Sequence, residues 1–388
     1  MRTIQELISV LVLPISWVAP RNRLIWIFGN KKGFTDSTRY FMEYAHSVGE
    51  VRCIWIAREE DEVKLVRSLG YEAYLGTSLK GIYFAFRGGY HFICNGLGDV
   101  NRTLALTSRV VNFWHGTPIK KVYLDAEVEA ERFGKNRLAG WLARTAMKLM
   151  NRSIFRLYSS NSLEGQVVSR AAGIPPERVR VHGSPRFDYI RRLLQERDAL
   201  LTGLRCKGVV LYAPTWREDG KWEESFRIDE NSARRLISFL ESEDFLFVVK
   251  PHPLTTKDEV DSWQLLEHPR VVLASSIGMT DINRIYAISD VIITDVSSAI
   301  FDYLVVSDKI IFFMPDYEKY VSGSRGVYEH YWEIVSNSLN LTWSGVIDRL
   351  MSGDSASAGL DIISELRSEV TSLSDTCRNI YSDIRRAS

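Results

Sequence analysis

His115 and the residues around it have the composition of a proton-transfer site. His115 follows the apolar run RVVNFW and precedes Gly116, Thr117 and Pro118. An imidazole titrates near neutral pH, so it can accept a proton from an attacking hydroxyl. Gly116 allows close backbone approach, and Thr117 can donate to a phosphate. A hydrogen-bonded loop histidine is the alternative, and the motif taken alone favours that alternative.

Lys250 and His252 form a second candidate site in the segment VVKPHPL, two residues apart with Pro251 between them. Alternate side chains of an extended backbone point to the same side, and the prolines restrict the backbone to that form. A cation beside an imidazole suits a phosphate or pyrophosphate leaving group. The alternative is a structural turn around the prolines.

Phosphate-binding groups are predicted at two further strand ends. In TDVSSAIFDYL, the residues Asp295, Ser297 and Ser298 occupy the turn between an apolar strand and a helix, where free N–H groups attract phosphate. Simple N-capping by the same residues is compatible with this interpretation. Asp302 lies about two turns further along. Arg217, which ends LYAPTWR, suits a phosphate fork, although a surface arginine fits it nearly as well.

The elements that must position these motifs are short apolar segments alternating with helical ones. This alternation predicts parallel sheets with helices on both faces, whose ligands bind at the carboxyl ends of the strands. The predicted fold class is α/β, with two Rossmann-like domains whose parallel sheets face a central cleft. Arg186 and Asp188, in the segment GSPRFDYI, are candidates for the edge of that cleft or for a hinge.

The length of 388 residues and a hydrophobic fraction of 45% suggest two domains. We expect an N-terminal apolar segment at 1–20, a first Rossmann-like domain at 21–200, a second Rossmann-like domain at 201–360 and a C-terminal helix at 361–388. Two segments have membrane character. Residues 7–19 are either an interfacial anchor or a docking helix, and residues 131–152 resemble a basic amphipathic helix that lies on an anionic membrane or packs on the sheet.

Several classes of protein are disfavoured by composition and by motifs. A formal net charge of +1 gives no global basis for nucleic-acid binding. The sequence has no P-loop, no dinucleotide-binding glycine motif and no H-E-x-x-H zinc motif. The four cysteines lie far apart, and no carboxylate pair suggests a divalent cation. We therefore predict no obligatory metal or other cofactor.

The ordered set HGTPIKK, GSPRFDYI, LYAPTWRED, VVKPHPL and SDVIITDVSSAIFDYL resembles the CDP-glycerol glycerophosphotransferase family of teichoic-acid and capsule polymer synthesis. The resemblance covers roughly residues 22–320. It implies a GT-B-like fold, with the acceptor bound by the first domain and CDP-glycerol or CDP-ribitol by the second. It also implies a peripheral enzyme on the cytoplasmic face of the bacterial membrane, acting on a glycan linked to polyprenyl diphosphate.

The resemblance assigns roles to the candidate residues. His115 would be the general base on the acceptor hydroxyl, and His252 would stabilise or protonate the departing CMP. Arg217, Ser297 and Ser298 would hold the donor phosphates, with Asp295 shaping the turn. The alternatives are a GT-B glycosyltransferase that uses a nucleotide sugar and a non-catalytic scaffold of a polymer-export complex. A primase, a short polymerase and a capsule enzyme with another alditol also remain open.

Overall fold

The computed structural model describes residues 20–126, 141, 145, 148–151, 154–215, 227–252, 255, 260, 263–318, 326–335, 339–353 and 360–387. These residues form two compact units. The first contains the described residues up to Thr117, those from Val122 to Asp188 and those from Leu373 onward. The second contains Pro118–Lys121 and the described residues from Tyr189 to Ser372.

The first unit is built on a sheet of seven parallel strands in the order β3-β2-β1-β4-β5-β6-β7. The strands are β1 (Asn22–Phe28), β2 (Arg52–Ala57), β3 (Glu72–Leu75), β4 (Gly88–Ile93), β5 (Arg109–Asn112), β6 (Ile154–Ser159) and β7 (Val179–Val181). The runs LIWIF of β1 and CIWIA of β2 have no polar alternation, as expected for strands that are covered on both faces.

Helices cover both faces of this sheet. They are α1 (Asp36–Val48), α2 (Glu60–Ser68), α3 (Leu79–Arg87), α4 (Arg102–Ala105), α5 (Ser162–Ala172) and α6 (Pro185–Gln195). Because successive side chains of a strand point to opposite faces, Trp26 and Phe28 pack in one core cluster with α1 and α2. Ile27 packs on the other face, in a cluster with α3 and α5.

The second unit has a sheet of six parallel strands in the order β10-β9-β8-β11-β12-β13. The strands are β8 (Gly208–Ala213), β9 (Phe245–Val249), β10 (Val271–Leu273), β11 (Val291–Thr294), β12 (Ile310–Phe313) and β13 (Leu339–Asn340). Its helices are α7 (Arg197–Leu204), α8 (Glu230–Ser242), α9 (Ile282–Ile288), α10 (Ala299–Tyr303), α11 (Glu329–Val335), α12 (Trp343–Ser352) and α13 (Leu360–Ser372).

The chain passes between the two units more than once. Immediately after Thr117, the short segment Pro118–Lys121 belongs to the second unit, where the N–H of Lys121 donates to the carbonyl of Gly326 at 3.0 Å. The division at Asp188 falls within α6. The C-terminal region 361–388 comprises two helices in different units: α13 in the second, and α14 (Thr376–Arg386) in the first.

Helix α14 is part of the core of the first unit. Its residues Cys377, Ile380, Tyr381 and Ile384 are buried in the same cluster as Trp26. The ring centroids of Trp26 and Tyr381 are 5.2 Å apart. Burial of each such large apolar side chain contributes about 1.5–3 kcal/mol relative to its exposure.

Candidate active site

His115 lies three residues beyond the end of β5, on a turn with unusual backbone angles. Trp114 has a φ of 55° and Gly116 a φ of 130°, so the residues on both sides of the histidine have positive φ. This conformation is costly for a bulky residue, and it is maintained here by a hydrogen bond from the N–H of Trp114 to Oδ1 of Asn112 at 2.8 Å. The turn therefore fixes the direction of the imidazole.

The protonation state of His115 follows from its surroundings. Nδ1 lies 3.3 Å from the carbonyl oxygen of Cys94, which can only accept, so Nδ1 carries the hydrogen of the neutral ring and Nε2 is left as the basic nitrogen. Burial lowers the pKa of His115 below its usual value, and the charges of Lys32 and Arg186 lower it further. The Cys94 carbonyl and Asp36 oppose this shift. At neutral pH the ring is therefore a neutral base.

Asp36 and Arg186 form an ion pair, and the charge of each affects the pKa of His115. Nη1 of Arg186 donates to Oδ1 of Asp36 at 2.8 Å, and the two side chains are only 6% and 14% exposed, respectively. Oδ1 of Asp36 also accepts from the N–H of Ser37 at 2.7 Å. Burial raises the pKa of Asp36, but the charge of Arg186 and the Ser37 amide outweigh burial, with smaller contributions from His115 and Lys32, so the pKa is lowered overall.

Asp36 was not singled out by the sequence analysis. It is the first residue of α1, which follows the loop after β1, and it has a φ of 65°, in the left-handed region that Asp tolerates better than most residues. Its position beyond the carboxyl end of a strand is the same signal that identified His115. Arg186 was predicted at the edge of a cleft, and the structure places it beside Asp36, where both affect the pKa of His115.

Asp99 is a second residue that the sequence did not indicate. Its buried carboxylate accepts from the backbone N–H of Lys31 at 3.0 Å, of Cys94 at 2.9 Å and of Asn95 at 2.7 Å. It therefore joins the loop after β1 to the loop after β4. The carbonyl of Cys94 is the partner of His115, so Asp99 helps to position the histidine through the backbone.

Thr117 occupies a buried polar network. Its hydroxyl donates to Oε2 of Glu164 at 3.4 Å and accepts from Nδ2 of Asn161 at 2.8 Å. Asn161 is the N-cap of α5, and its side chain accepts from the N–H of Glu164. Within the described residues, the Thr117 side chain thus attaches the turn to α5, and phosphate binding by Thr117 and Gly116 stays a prediction.

Asp188, in α6, contacts the first turn of the C-terminal helix α14. Its two carboxylate oxygens accept from the N–H groups of Thr376 at 3.1 Å and Cys377 at 2.8 Å. These are the first two residues of α14, whose N–H groups have no acceptor within the helix. Asp188 therefore caps α14, and a role in a cleft or a hinge stays a prediction.

In the second unit, Asp295 joins the ends of two neighbouring strands. It follows β11, and its buried carboxylate accepts from the N–H of Thr215 at 3.0 Å and from the Thr215 hydroxyl at 2.8 Å. Thr215 follows β8, which pairs with β11 so that Ala213 lies opposite Thr294. The carbonyl of Asp295 accepts from the hydroxyl of Tyr331 at 2.7 Å. Asp295 thus connects the residues that follow β8 and β11, and its role in a donor site stays a prediction.

Lys250 and His252 follow β9, on the other side of β8. The N–H of Lys250 donates to the carbonyl of Tyr212 at 2.9 Å, which extends the strand pairing by one residue. Burial lowers the pKa of Lys250, and the charge of Asp281 partly opposes this. His252 is exposed. The strand order β9-β8-β11 places Lys250, Thr215 and Asp295 at one edge of the sheet.

Ser297 and Ser298 occupy the turn after Asp295. Oγ of Ser297 accepts from the N–H of Ala299 at 3.2 Å, and Ser298 is the N-cap of α10. Helix α10 has only five residues, so the macrodipole behind this turn is small. Asp302 lies within α10. The Ser297 hydroxyl thus caps the first N–H of α10, whereas Ser298 makes no side-chain capping hydrogen bond there, and phosphate binding by the two serines stays a prediction.

Some of the predicted features lie outside the described residues. Arg217, the N-terminal segment 1–19 and most of the basic segment 131–152 are among them. Within the part of the chain that is described, no helix has both the length and the apolar character to cross a bilayer. The same residues contain no cluster of three or more His, Cys, Asp or Glu side chains suited to a metal ion, and the absence of an obligatory metal stays a prediction.

The sequence profile of the CDP-Glycerol:Poly(glycerophosphate) glycerophosphotransferase family matches residues 11–375. The chain belongs to this family. The resemblance inferred from the five motifs is therefore confirmed, and the match extends beyond the range that the motifs covered.

Two teichoic acid poly(glycerol phosphate) polymerases are similar to this chain at low identity. The teichoic acid poly(glycerol phosphate) polymerase of Staphylococcus epidermidis is 26% identical over 331 residues, which is 81% of this chain and 43% of that protein. The polymerase of the same name from Bacillus spizizenii is 24% identical over 364 residues, 90% of this chain and 88% of its own. The chain thus spans less than half the length of the first relative.

The fold of this glycerophosphotransferase family member is similar to a solved one. The structure of the wall teichoic acid polymerase TagF matches with a TM-score of 0.73 and 20% identity, covering 99% of this chain and 97% of that one. The predicted GT-B-like class, with two parallel-sheet α/β domains, is confirmed. That the two sheets face a central cleft stays a prediction.

Proposed function

We propose that this protein transfers glycerol phosphate, or a related alditol phosphate, from a CDP-alditol to a hydroxyl of a lipid-linked glycan or a growing teichoic-acid or capsule-like polymer, releasing CMP. Family membership supports the reaction class. The observation that carries the proposal is the neutral imidazole of His115, fixed by the Cys94 carbonyl beyond the end of a parallel strand.

The proton and the bonds can be followed atom by atom. The acceptor hydroxyl gives its proton to Nε2 of His115 as its oxygen attacks the phosphorus that bears the alditol. The new P–O bond forms while the bond from that phosphorus to the CMP oxygen breaks, and CMP leaves with the electron pair. His252 then stabilises or protonates the departing phosphate. Positioning and charge stabilisation supply most of the acceleration in such transfers.

Asp36 has a defined part in this step. When His115 takes the proton it becomes an imidazolium, beside the positive charges of Lys32 and Arg186, which lower its pKa. The carboxylate of Asp36 compensates Arg186 through their 2.8 Å hydrogen bond and itself raises the pKa of His115. The pair therefore keeps the base neutral before the reaction without making the imidazolium prohibitively costly.

The donor is held by the second unit in this proposal. Lys250, Arg217, Ser297 and Ser298 bind the phosphates of the CDP-alditol, and Asp295 maintains their turn through Thr215. Positive side chains supply the charge compensation, so no obligatory metal is required. The polyprenyl-diphosphate carrier places the acceptor at the cytoplasmic membrane face, and the protein acts there as a peripheral enzyme on an anionic surface.

The test measures CMP release from CDP-glycerol and CDP-ribitol, with UDP- and GDP-sugars as competitors and a soluble analogue of a lipid-linked disaccharide as acceptor. We expect CMP release from one CDP-alditol and a loss of about 10²–10⁴-fold in His115→Ala, the usual contribution of a general base. His252→Ala should also lose activity. His46→Ala is the matched control, because His46 is an exposed residue in the last turn of α1.

Two outcomes would contradict the proposal. Turnover of a nucleotide sugar in place of a CDP-alditol would identify a glycosyltransferase on the same fold. Full CMP release by His115→Ala would show that His115 is not the general base. The pH profile gives an independent check: because burial lowers the pKa of His115, the acid limb of kcat/KM should lie below about pH 6.5, the ordinary imidazole value.

A further inference from the structure

A polar cavity of about 510 Å³ lies within the first unit. Its walls include the residues that follow three neighbouring strands: Lys31 after β1, Arg58 after β2 and Thr77 after β3. The carboxyl ends of parallel strands are where open α/β sheets bind ligands, and this volume lies in the usual range for small-molecule sites. The proton transfer proposed for His115 does not use this cavity.

The charge of the cavity favours an anion. Lys31, Arg58 and Arg102 line it, against two carboxylates, Glu59 and Asp99. The Asp99 carboxylate is already engaged by three backbone N–H groups. Within the described part of the chain, none of the three cations has an ion-pair partner. The Arg58 guanidinium donates a long hydrogen bond, 3.4 Å, to the carbonyl of Lys31.

The cavity is connected to His115 by a short rigid path. Asp99 is one of the lining residues, and it binds the N–H of Lys31 on one side and the N–H of Cys94 on the other. The carbonyl of Cys94 contacts His115. The backbones of β1 and the turn before α4 also approach closely, since a Cβ on Gly29 would lie 2.4 Å from the carbonyl oxygen of Asp99. An anion bound here would be held at a fixed distance from the base.

We propose that this cavity binds a phosphate group of the acceptor, so that a negatively charged acceptor is anchored on the first unit while its hydroxyl meets His115. The inference rests on the proposed function, because it names the part of the acceptor that this enzyme grips. Two sources offer the same chemistry: the phosphodiesters of a chain that already carries alditol phosphates, and the diphosphate of the lipid carrier. Guanidinium groups bind either of them through paired charge-assisted hydrogen bonds.

The experiment compares the full-length wild type with the double variant Arg58→Gln/Arg102→Gln in steady-state CMP release. Three acceptors are used: a disaccharide with a lipid-like diphosphate, a disaccharide glycoside that lacks the diphosphate but bears several glycerol phosphates, and a molecule with both groups. We expect the acceptor KM of the variant to rise at least about tenfold, the loss expected for one charge-assisted hydrogen bond, with the KM for the CDP-alditol unchanged. Lys64→Gln in α2 removes the same type of charge from the exposed surface and should leave both constants unchanged.

Each outcome decides the proposal. A rise confined to acceptors with glycerol phosphates assigns the cavity to the polymer chain, and a rise confined to acceptors with a diphosphate assigns it to the carrier. Acceptor KM values within twofold of the wild type for all three acceptors, or an equal rise in the donor KM, would overturn the inference.

A binding measurement separates this inference from the proposed reaction. If the wild type turned over no CDP-alditol, the reaction class would be wrong, but calorimetric titration with a glycerol-phosphate oligomer and with inorganic pyrophosphate would still test the cavity. Binding that weakens about tenfold or more in the double variant supports an anion site. Binding of equal strength in both proteins, or none in the wild type, refutes it.

Discussion

Replacing Asp36 with asparagine should destabilise the first unit by about 3 kcal/mol. Arg186 would remain in place with its side chain 6% exposed and without the carboxylate that lies 2.8 Å away. Truncating one partner of a buried ion pair typically costs about 3–5 kcal/mol. Asparagine keeps an acceptor oxygen and tolerates the φ of 65°, so we expect the lower end of that range.

The assay is a double-mutant cycle with Asp36→Asn, Arg186→Gln and the double variant. Unfolding of a protein with two units is not expected to be one transition, so stability is followed by urea-dependent hydrogen exchange of peptides from β1 and β4. We expect a coupling energy of about 2–3 kcal/mol. The matched control is the pair Arg52 and Glu72, whose side chains are 51% and 28% exposed.

The control pair should couple by about 0.2–1 kcal/mol, as exposed ion pairs do. If the coupling between Asp36 and Arg186 were no larger than that, the pair would not behave as a buried one. The role that we give Asp36 beside His115 would then lose its basis. In CMP release, Asp36→Asn should also move the acid limb of kcat/KM to lower pH, because Asp36 raises the pKa of His115.

Two further predictions concern stability. His91 is fully buried, and burial lowers its pKa well below the usual value, so the unfolded chain binds a proton that the folded chain excludes. Stability of the first unit should therefore fall as the pH drops below about 6.5, by up to about 1.4 kcal/mol per pH unit. His91→Phe should flatten that slope between pH 5 and 7 in the same urea-dependent hydrogen-exchange assay, and an unchanged slope would contradict this. Asp188→Ala should remove the cap of α14 and lower stability by about 1–2 kcal/mol, with kcat and both KM values unchanged; a changed donor or acceptor KM would instead favour the cleft role.

The parallel strands were accessible from the sequence because burial on both faces leaves continuous apolar runs. The segment VRCIWIA contains β2 (Arg52–Ala57), and GVVLYA coincides with β8 (Gly208–Ala213). Residues of the candidate site could be predicted where they directly follow such strands, and His115 and Asp295 were identified in this way. Local sequence carries this signal because strand ends and turn residues are themselves local features.

The sequence did not reveal which distant side chains contact each other. Asp36 and Arg186 are 150 residues apart, and Asp99 lies 68 residues from Lys31, so no periodicity or motif connects them. A side chain in a polar motif can equally bind a ligand or a neighbouring helix. Thr117 and Asp188 illustrate this, because their types suit a phosphate site or a cleft, whereas their described hydrogen bonds reach α5 and α14.

The position of α14 has a consequence for the order in which the protein matures during synthesis. The first unit needs residues 376–386 to cover Trp26, yet the ribosome must first make the stretch from Tyr189 to Ser372 that builds the second unit. At about 5–20 residues per second, that stretch takes on the order of 10–40 s. During this interval the nascent first unit lacks the α14 side chains Cys377, Ile380, Tyr381 and Ile384, which share the core cluster of Trp26. The second unit is therefore the one that can complete its core first, although it is encoded later.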